Sequence, residues 1–246
     1  SLFFTPVLIC GIIDQVFLED FNWKKFFKNL VLGVAAILMI GVLMLPFGFS
    51  QALNQYTGTL KSYEYASINA YNFWNMLGLN WASQYDKLLG VQYKTWGTIA
   101  IVLTVIIAII ISLRCKKNAG KYYFIGGFVV TTVFMFAVRM HERYLFPAMV
   151  MFLLAFAVRL RKEIYMLYIL VSTVAFYNAA HVLFVYDNTS FNSKAPIPIA
   201  ISIGLLLTVV FMFYAAAKLY FKPVDDSEEI SDIMAQIEKK NQKMQG

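Results

Sequence analysis

The apolar run YYFIGGFVVTTVFMFAV (122–138), the turn Arg139-Met140-His141-Glu142-Arg143-Tyr144 and the apolar run LFPAMVMFLLAFAV (145–158) decide how this chain is read. Two long apolar stretches enclose a cation, an imidazole, a carboxylate and a second cation. Ionisable groups at membrane depth are costly, so such a cluster either serves a function or sits in the headgroup layer. The same alternation continues in both directions. Apolar segments of roughly 17–25 residues can cross a ~30 Å hydrocarbon core. They fall at about 2–18, 29–49, 96–113, 122–138, 144–160, 164–186 and 196–221. With 60% hydrophobic and 14% charged residues and a mean hydropathy of +0.63, the composition is far from that of a water-soluble domain. The expected fold is all-α, a polytopic membrane bundle of about seven transmembrane helices over 1–222, with an amphipathic tail over 223–246.

Lys and Arg set the expected orientation, because cytoplasmic loops carry the excess. One set of connections holds Lys24, Lys25, Lys28, Arg114, Lys116, Lys117, Lys121, Arg159, Arg161, Lys162, Lys218 and Lys222; the alternating set holds Lys61, Lys87, Lys94, Arg139, Arg143 and Lys194. Twelve against six places the His141 turn on the extracytoplasmic side and the tail in the cytoplasm. The net charge of +7 follows from this asymmetry and calls for no nucleic-acid partner. The chain opens at Ser1 almost directly into an apolar run, without the basic start and small-residue cleavage site of a signal peptide, so an upstream portion is expected. Cys10 and Cys115 are expected to stay thiols with a packing role.

Residues 50–95 form the long extracytoplasmic connection, rich in Tyr, Trp and Phe interleaved with Asn and Gln. Within it, SINAYNFWNMLG (67–78) reads as a short interfacial helix capped by Ser67 and stopped by Gly78. Asn69, Asn72 and Asn75 would share a polar flank, and Ala70, Phe73, Trp74 and Leu77 an apolar one. The bland reading is an aromatic belt at headgroup level. The functional reading is the wall of a carbohydrate or lipid site.

In the His141 turn, Pro147 suits the first turn of a new helix, which puts Arg139 to Tyr144 in the turn and at a helix N-terminus. Backbone N–H groups and two guanidinium forks favour an anion there, a phosphate above all. The bland reading is that Arg139 and Arg143 snorkel to lipid headgroups while Glu142 pairs with one of them. His181, with Asn178 beside it, reads first as a packing histidine, Asp14 as a group reaching the interface, and Asn188-Thr189-Ser190 as a glycosylation sequon. The tail pattern, with Asp225, Asp226, Glu228 and Glu229 first and Lys239, Lys240 and Lys243 last, predicts a short helix. No Gly-rich phosphate loop, metal-ligand spacing or nucleophile elbow occurs, so no cofactor is expected, and a divalent metal stays open.

The asparagine–aromatic segment 67–78 and MHERYLFP (140–147) together resemble the bacterial membrane proteins related to the mannosyltransferases of glycosylphosphatidylinositol synthesis, within the GT-C glycosyltransferases. The resemblance covers essentially 1–222, as the C-terminal half of such a protein. It implies transfer of a sugar from a polyprenyl-phosphate donor to a glycan, lipid or polymer hydroxyl at the extracytoplasmic face of the cell membrane. It would place Arg139, His141, Glu142 and Arg143 beside the donor phosphate, and Asn69, Tyr71, Asn72 and Trp74 near the sugar or acceptor. The family's general-base aspartate lies in an early external loop that this sequence does not contain. The remaining outward acids, Glu64, Asp86, Glu142 and Asp187, match no corresponding motif. The rival readings are a multi-span transporter or lipid flippase and a structural membrane subunit.

Overall fold

The computed structural model describes residues 2–15, 22–115, 120–185 and 194–221. The sequon and the tail lie outside them. The described chain is mostly helical, and each of the seven apolar segments contains a helix: α1 (Thr5–Ile13), α2 (Trp23–Met44), α5 (Tyr93–Arg114), α6 (Lys121–Phe136), α7 (Phe146–Val158), α8 (Lys162–Val185) and α9 (Pro196–Ala216). Four are long and apolar enough to cross a membrane: α2 with its continuation to Phe47, α5, α8, and α9 with its continuation to Phe221. That many apolar helices mark the chain as membrane-embedded. The other three run to 9, 16 and 13 residues, short of the full spans expected at those places.

The shortfall in α6 has a local cause. The apolar run continues to Val138, yet the helix ends at Phe136 because Ala137 is extended and Arg139 is left-handed, at φ 62°. Beyond it, β4 (Met140–His141) pairs in parallel with β1 (Ser67–Ile68). The carbonyls of Phe134 and Phe136, left without helical partners by this turn, accept hydrogen bonds from Asn72 Nδ2 at 3.1 Å and Trp74 Nε1 at 3.0 Å.

α6 is the centre of the bundle, with 13 of its 16 residues buried. α5 and α7 pack on either side of it, α8 follows α7, and α9 closes against α8 and α6. Close approach of α6 and α7 depends on Gly127, where a Cβ would lie 2.8 Å from the Phe152 ring. By contrast, α2 buries no residue and packs mainly on α3 (Phe49–Lys61). Its apolar surface is what a lipid-facing helix presents.

The expected interfacial helix over 68–77 is corrected in extent, cap and setting. Only Phe73–Met76 is helical (α4), and its N-cap is Asn72, whose side chain accepts from the N–H of Trp74 and Asn75. Ser67 caps nothing; it lies in β1, and its hydroxyl donates to Ala70 O at 2.6 Å. Gly78 does end the turn, at φ 75°. The segment lies inside the fold, since Ala66 to Asn72 are all buried. A small hairpin, β2 (Lys87–Leu88) and β3 (Val91–Gln92), then leads into α5.

Candidate functional site

The His141 turn sits at one end of the bundle, held by backbone pairing. Met140 and His141 pair with Ser67 and Ile68, Asn69 bridges His141, and Arg139 N–H donates to Tyr65 O at 3.1 Å. Buried backbone groups must find partners, and the 63–85 segment supplies them for this turn. The turn continues as a 3-10 stretch, Glu142–Leu145, into α7, with Pro147 in the first turn.

The four residues expected at a donor phosphate are treated differently by the fold. Arg139 Nε donates to Gln84 Oε1 at 2.9 Å, and its guanidinium lies 3.9 Å from Glu64. Arg143 is outward, its side chain 62% exposed, beside the Tyr144 ring and 4.0 Å from Glu142. His141 is 8% exposed, its ring edge-on to Tyr63 and Tyr144 at 5.0 and 5.1 Å. Burial pushes its pKa below the ordinary value, the Arg143 charge adds to that, and Glu142 opposes both. The shift favours the neutral imidazole, and of the two guanidinium groups Arg143 is the more exposed, with a side chain 62% accessible against 33% for Arg139.

The four residues expected near the sugar stand inside the wall. Asn69, Tyr71, Asn72 and Trp74 are 8%, 0%, 0% and 1% exposed. Asn69 Oδ1 accepts from Asn80 Nδ2 at 3.1 Å and Trp81 Nε1 at 2.9 Å, and its backbone carbonyl accepts from Asn178 Nδ2 at 2.8 Å. Tyr71 N–H donates to Asn178 Oδ1 at 3.0 Å, and the Tyr71 hydroxyl meets His181 Nδ1 at 2.6 Å. Asn75 Nδ2 reaches Ser202 Oγ on α9 at 2.9 Å. The asparagines share no polar flank. Each makes a different tertiary connection.

Sequence reading missed Asn80 and Gln84 altogether and placed Asn178 low. Their partners are remote in sequence or separated by turns, so no local pattern announces them. The packing assignment for His181 fits its bond to Tyr71. Asp14 is corrected: it is 5% exposed and paired with Lys121, and it accepts from Tyr122 Oη at 2.7 Å and Ser112 Oγ at 3.1 Å. Among the described residues no three His, Cys, Asp or Glu side chains gather closely enough to hold a metal ion. No protein-family model, curated protein or solved structure matches this chain.

Proposed function

We propose that this chain is the donor-binding part of a multi-pass membrane glycosyltransferase, with its apolar segments crossing the membrane seven times and its tail in the cytoplasm. On this reading a sugar passes from a polyprenyl-phosphate donor to a hydroxyl of a glycan, lipid or polymer at the extracytoplasmic face. The observation that carries it is the exposed Arg143 guanidinium close to a buried His141 at the end of a membrane bundle. A phosphate leaving group gains negative charge as the glycosidic bond breaks, and a cation held where that charge develops stabilises the transition state. Arg143 supplies the charge, the Tyr144 ring steadies it, and the neutral His141 offers a ring nitrogen without repelling the cation. Arg139, with Glu142 opposite in charge, shapes the field behind it. Asn69, Tyr71, Asn72 and Trp74 hold the wall that carries the turn.

A transporter would want charged groups or broken helices partway along its spans. Here the charged residues of the described chain collect at the two ends of the bundle, and the buried polar groups between them are the hydroxyls of residues such as Thr104, Thr131 and Thr208. That distribution favours chemistry at a membrane surface. The test is donor binding by the full-length protein. One charge-assisted contact is worth about 1.5–3 kcal/mol, on the order of ten- to a hundredfold in affinity. Arg143→Ala should lose that factor, and Arg143→Lys should recover only part because a point charge makes no bidentate fork. Lys162→Ala, exposed at the opposite end, should change nothing. Equal affinity in Arg143→Ala and the unmutated protein would reduce the turn to a headgroup anchor.

A further inference from the structure

The hairpin β2–β3 carries an apolar tip that the reading above does not use. Its turn residues, Leu89 and Gly90, both have positive φ, 54° and 81°. This is the two-residue type I′ geometry, for which Asn-Gly or Asp-Gly is the ordinary choice. A leucine there accepts an uncommon backbone conformation and places an apolar side chain, 87% exposed, at the tip. Burial in an apolar medium is what would repay that exposure.

Behind the tip lies a groove of about 330 Å³ whose walls include Leu88 and Leu89 from the hairpin, Phe73 from α4, and Trp96, Ile99 and Leu103 from α5. Its two indoles make no polar demand on an occupant: Trp74 Nε1 is taken by Phe136 O and Trp96 Nε1 by Leu88 O at 3.1 Å. The second of these bonds pins the hairpin against α5. Leu103 is ten residues beyond the first residue of α5, Tyr93. From Trp96 to Leu103, at about 1.5 Å per residue, the groove therefore follows α5 for roughly 10 Å near its start. The tip hangs beside the first turns of a spanning helix. The groove also runs into the exposed apolar face of α5 formed by Val102, Leu103 and Ile106. Exposed Lys87 flanks the tip.

We propose that the hairpin 87–92 is a membrane wedge. Leu89 inserts at the boundary of headgroups and hydrocarbon in the leaflet on the side of the His141 turn, one acyl chain of a bilayer phospholipid lies in the groove, and Lys87 meets its phosphate. Only side chains enter the hydrocarbon, because irregular backbone is not tolerated deeper. The proposal does not rest on the glycosyltransferase reading, and its test involves neither donor nor transfer.

Full-length protein in a Cys115→Ser background, reconstituted in phosphatidylglycerol–phosphatidylcholine nanodiscs, is labelled with bimane at Leu89→Cys or at Asp86→Cys. Leu89 is too exposed for this substitution to threaten folding. A phospholipid nitroxide near the top of the acyl chain should quench the label at 89, and aqueous iodide should not. At 86 the pattern should reverse. Equal iodide quenching at both positions, without nitroxide quenching at 89, would overturn the wedge. Ala100 also lines the groove, and Ala100→Phe fills it, so native mass spectrometry should show loss of one bound phospholipid. Retention of that adduct, or a polyprenyl phosphate in its place, would overturn the assignment of the groove. A dimer that Leu89→Asp dissociates would make the hairpin a contact between copies and sink the proposal.

Discussion

The two ends of the bundle solve the problem of buried polar groups in opposite ways. At the His141 end the buried polar side chains are mostly amides (Asn69, Asn72, Asn75, Asn80, Gln84 and Asn178), and no Lys, Arg, Asp or Glu among the described residues there is buried, Arg143 being 62% exposed. At the opposite end charges are buried. Asp14 and Lys121 pair with side chains only 7% and 3% exposed, and Glu163, 4% exposed, pairs with Lys218. Arg159 and Arg161 are buried there too, at 8% and 5%. An amide network satisfies backbone and side chains without carrying net charge, so it can support a surface cation without neutralising it. An ion pair in low dielectric locks two elements together and cancels its own field. The first arrangement suits a face that meets a charged ligand, the second a face that holds the bundle shut.

The largest effect should come from unpairing the buried end. Lys121→Ala leaves the Asp14 carboxylate buried beside Ser112 and Tyr122, a loss of about 3–5 kcal/mol for a broken buried pair. It is measured by denaturant unfolding of the reconstituted protein. The double variant Asp14→Asn/Lys121→Met should regain most of it. If Lys121→Ala costs no more than Arg143→Ala, an exposed site expected within ~0.5 kcal/mol of the unmutated protein, the contrast between the two ends fails.

Asn72 tests whether the His141 end is scaffold. Asn72→Ala removes an N-cap, about 0.5–2 kcal/mol, and the donor to Phe134 O, about 0.5–1.5 kcal/mol. Together they come to roughly 1–3.5 kcal/mol of stability. Asn72→Asp keeps the cap acceptor but turns a carboxylate toward the Phe134 carbonyl in a fully buried site, so it should cost at least as much as Asn72→Ala. Unchanged stability with sugar transfer abolished would move Asn72 from the wall to the ligand.

The smallest effect sharpens the role of His141. Its folded pKa lies below the ordinary 6.5, so the unfolded chain binds more protons as pH falls through the interval between the two values. The stability associated with the neutral ring is complete above pH 6.5 and is lost as the pH drops toward the folded value. His141→Gln should flatten that part of the pH–stability profile. A profile with the same slope in both proteins would assign the loss to other groups.

Several of these elements were open to reading from the chain alone. Each apolar segment contains a helix because a chain in lipid must satisfy every backbone group within its own segment, and hydropathy reports that locally. Pro147 in the first turn of α7 and Gly78 at positive φ after α4 were equally local matters. The position of Arg139 to Tyr144 at a bundle end followed from their place between apolar runs. Among the polar residues the failures were of one kind. The spacing of Asn69, Asn72 and Asn75 suited a helix flank, but the fold uses the three for three different partners. Asp14 read as an interfacial acid because nothing near it in sequence shows Lys121.

What the sequence determined by itself was therefore the membrane class, the helical segments and the polar turn between two of them, all consequences of short-range hydrogen bonding and length. Only the tertiary structure decided which polar residues face outward. Tyr71 meets Asn178 across 107 residues and Asn75 meets Ser202 across 127. A side-chain amide bonds whichever group packing brings within about 3 Å, and that choice belongs to the arrangement of helices rather than to any local pattern.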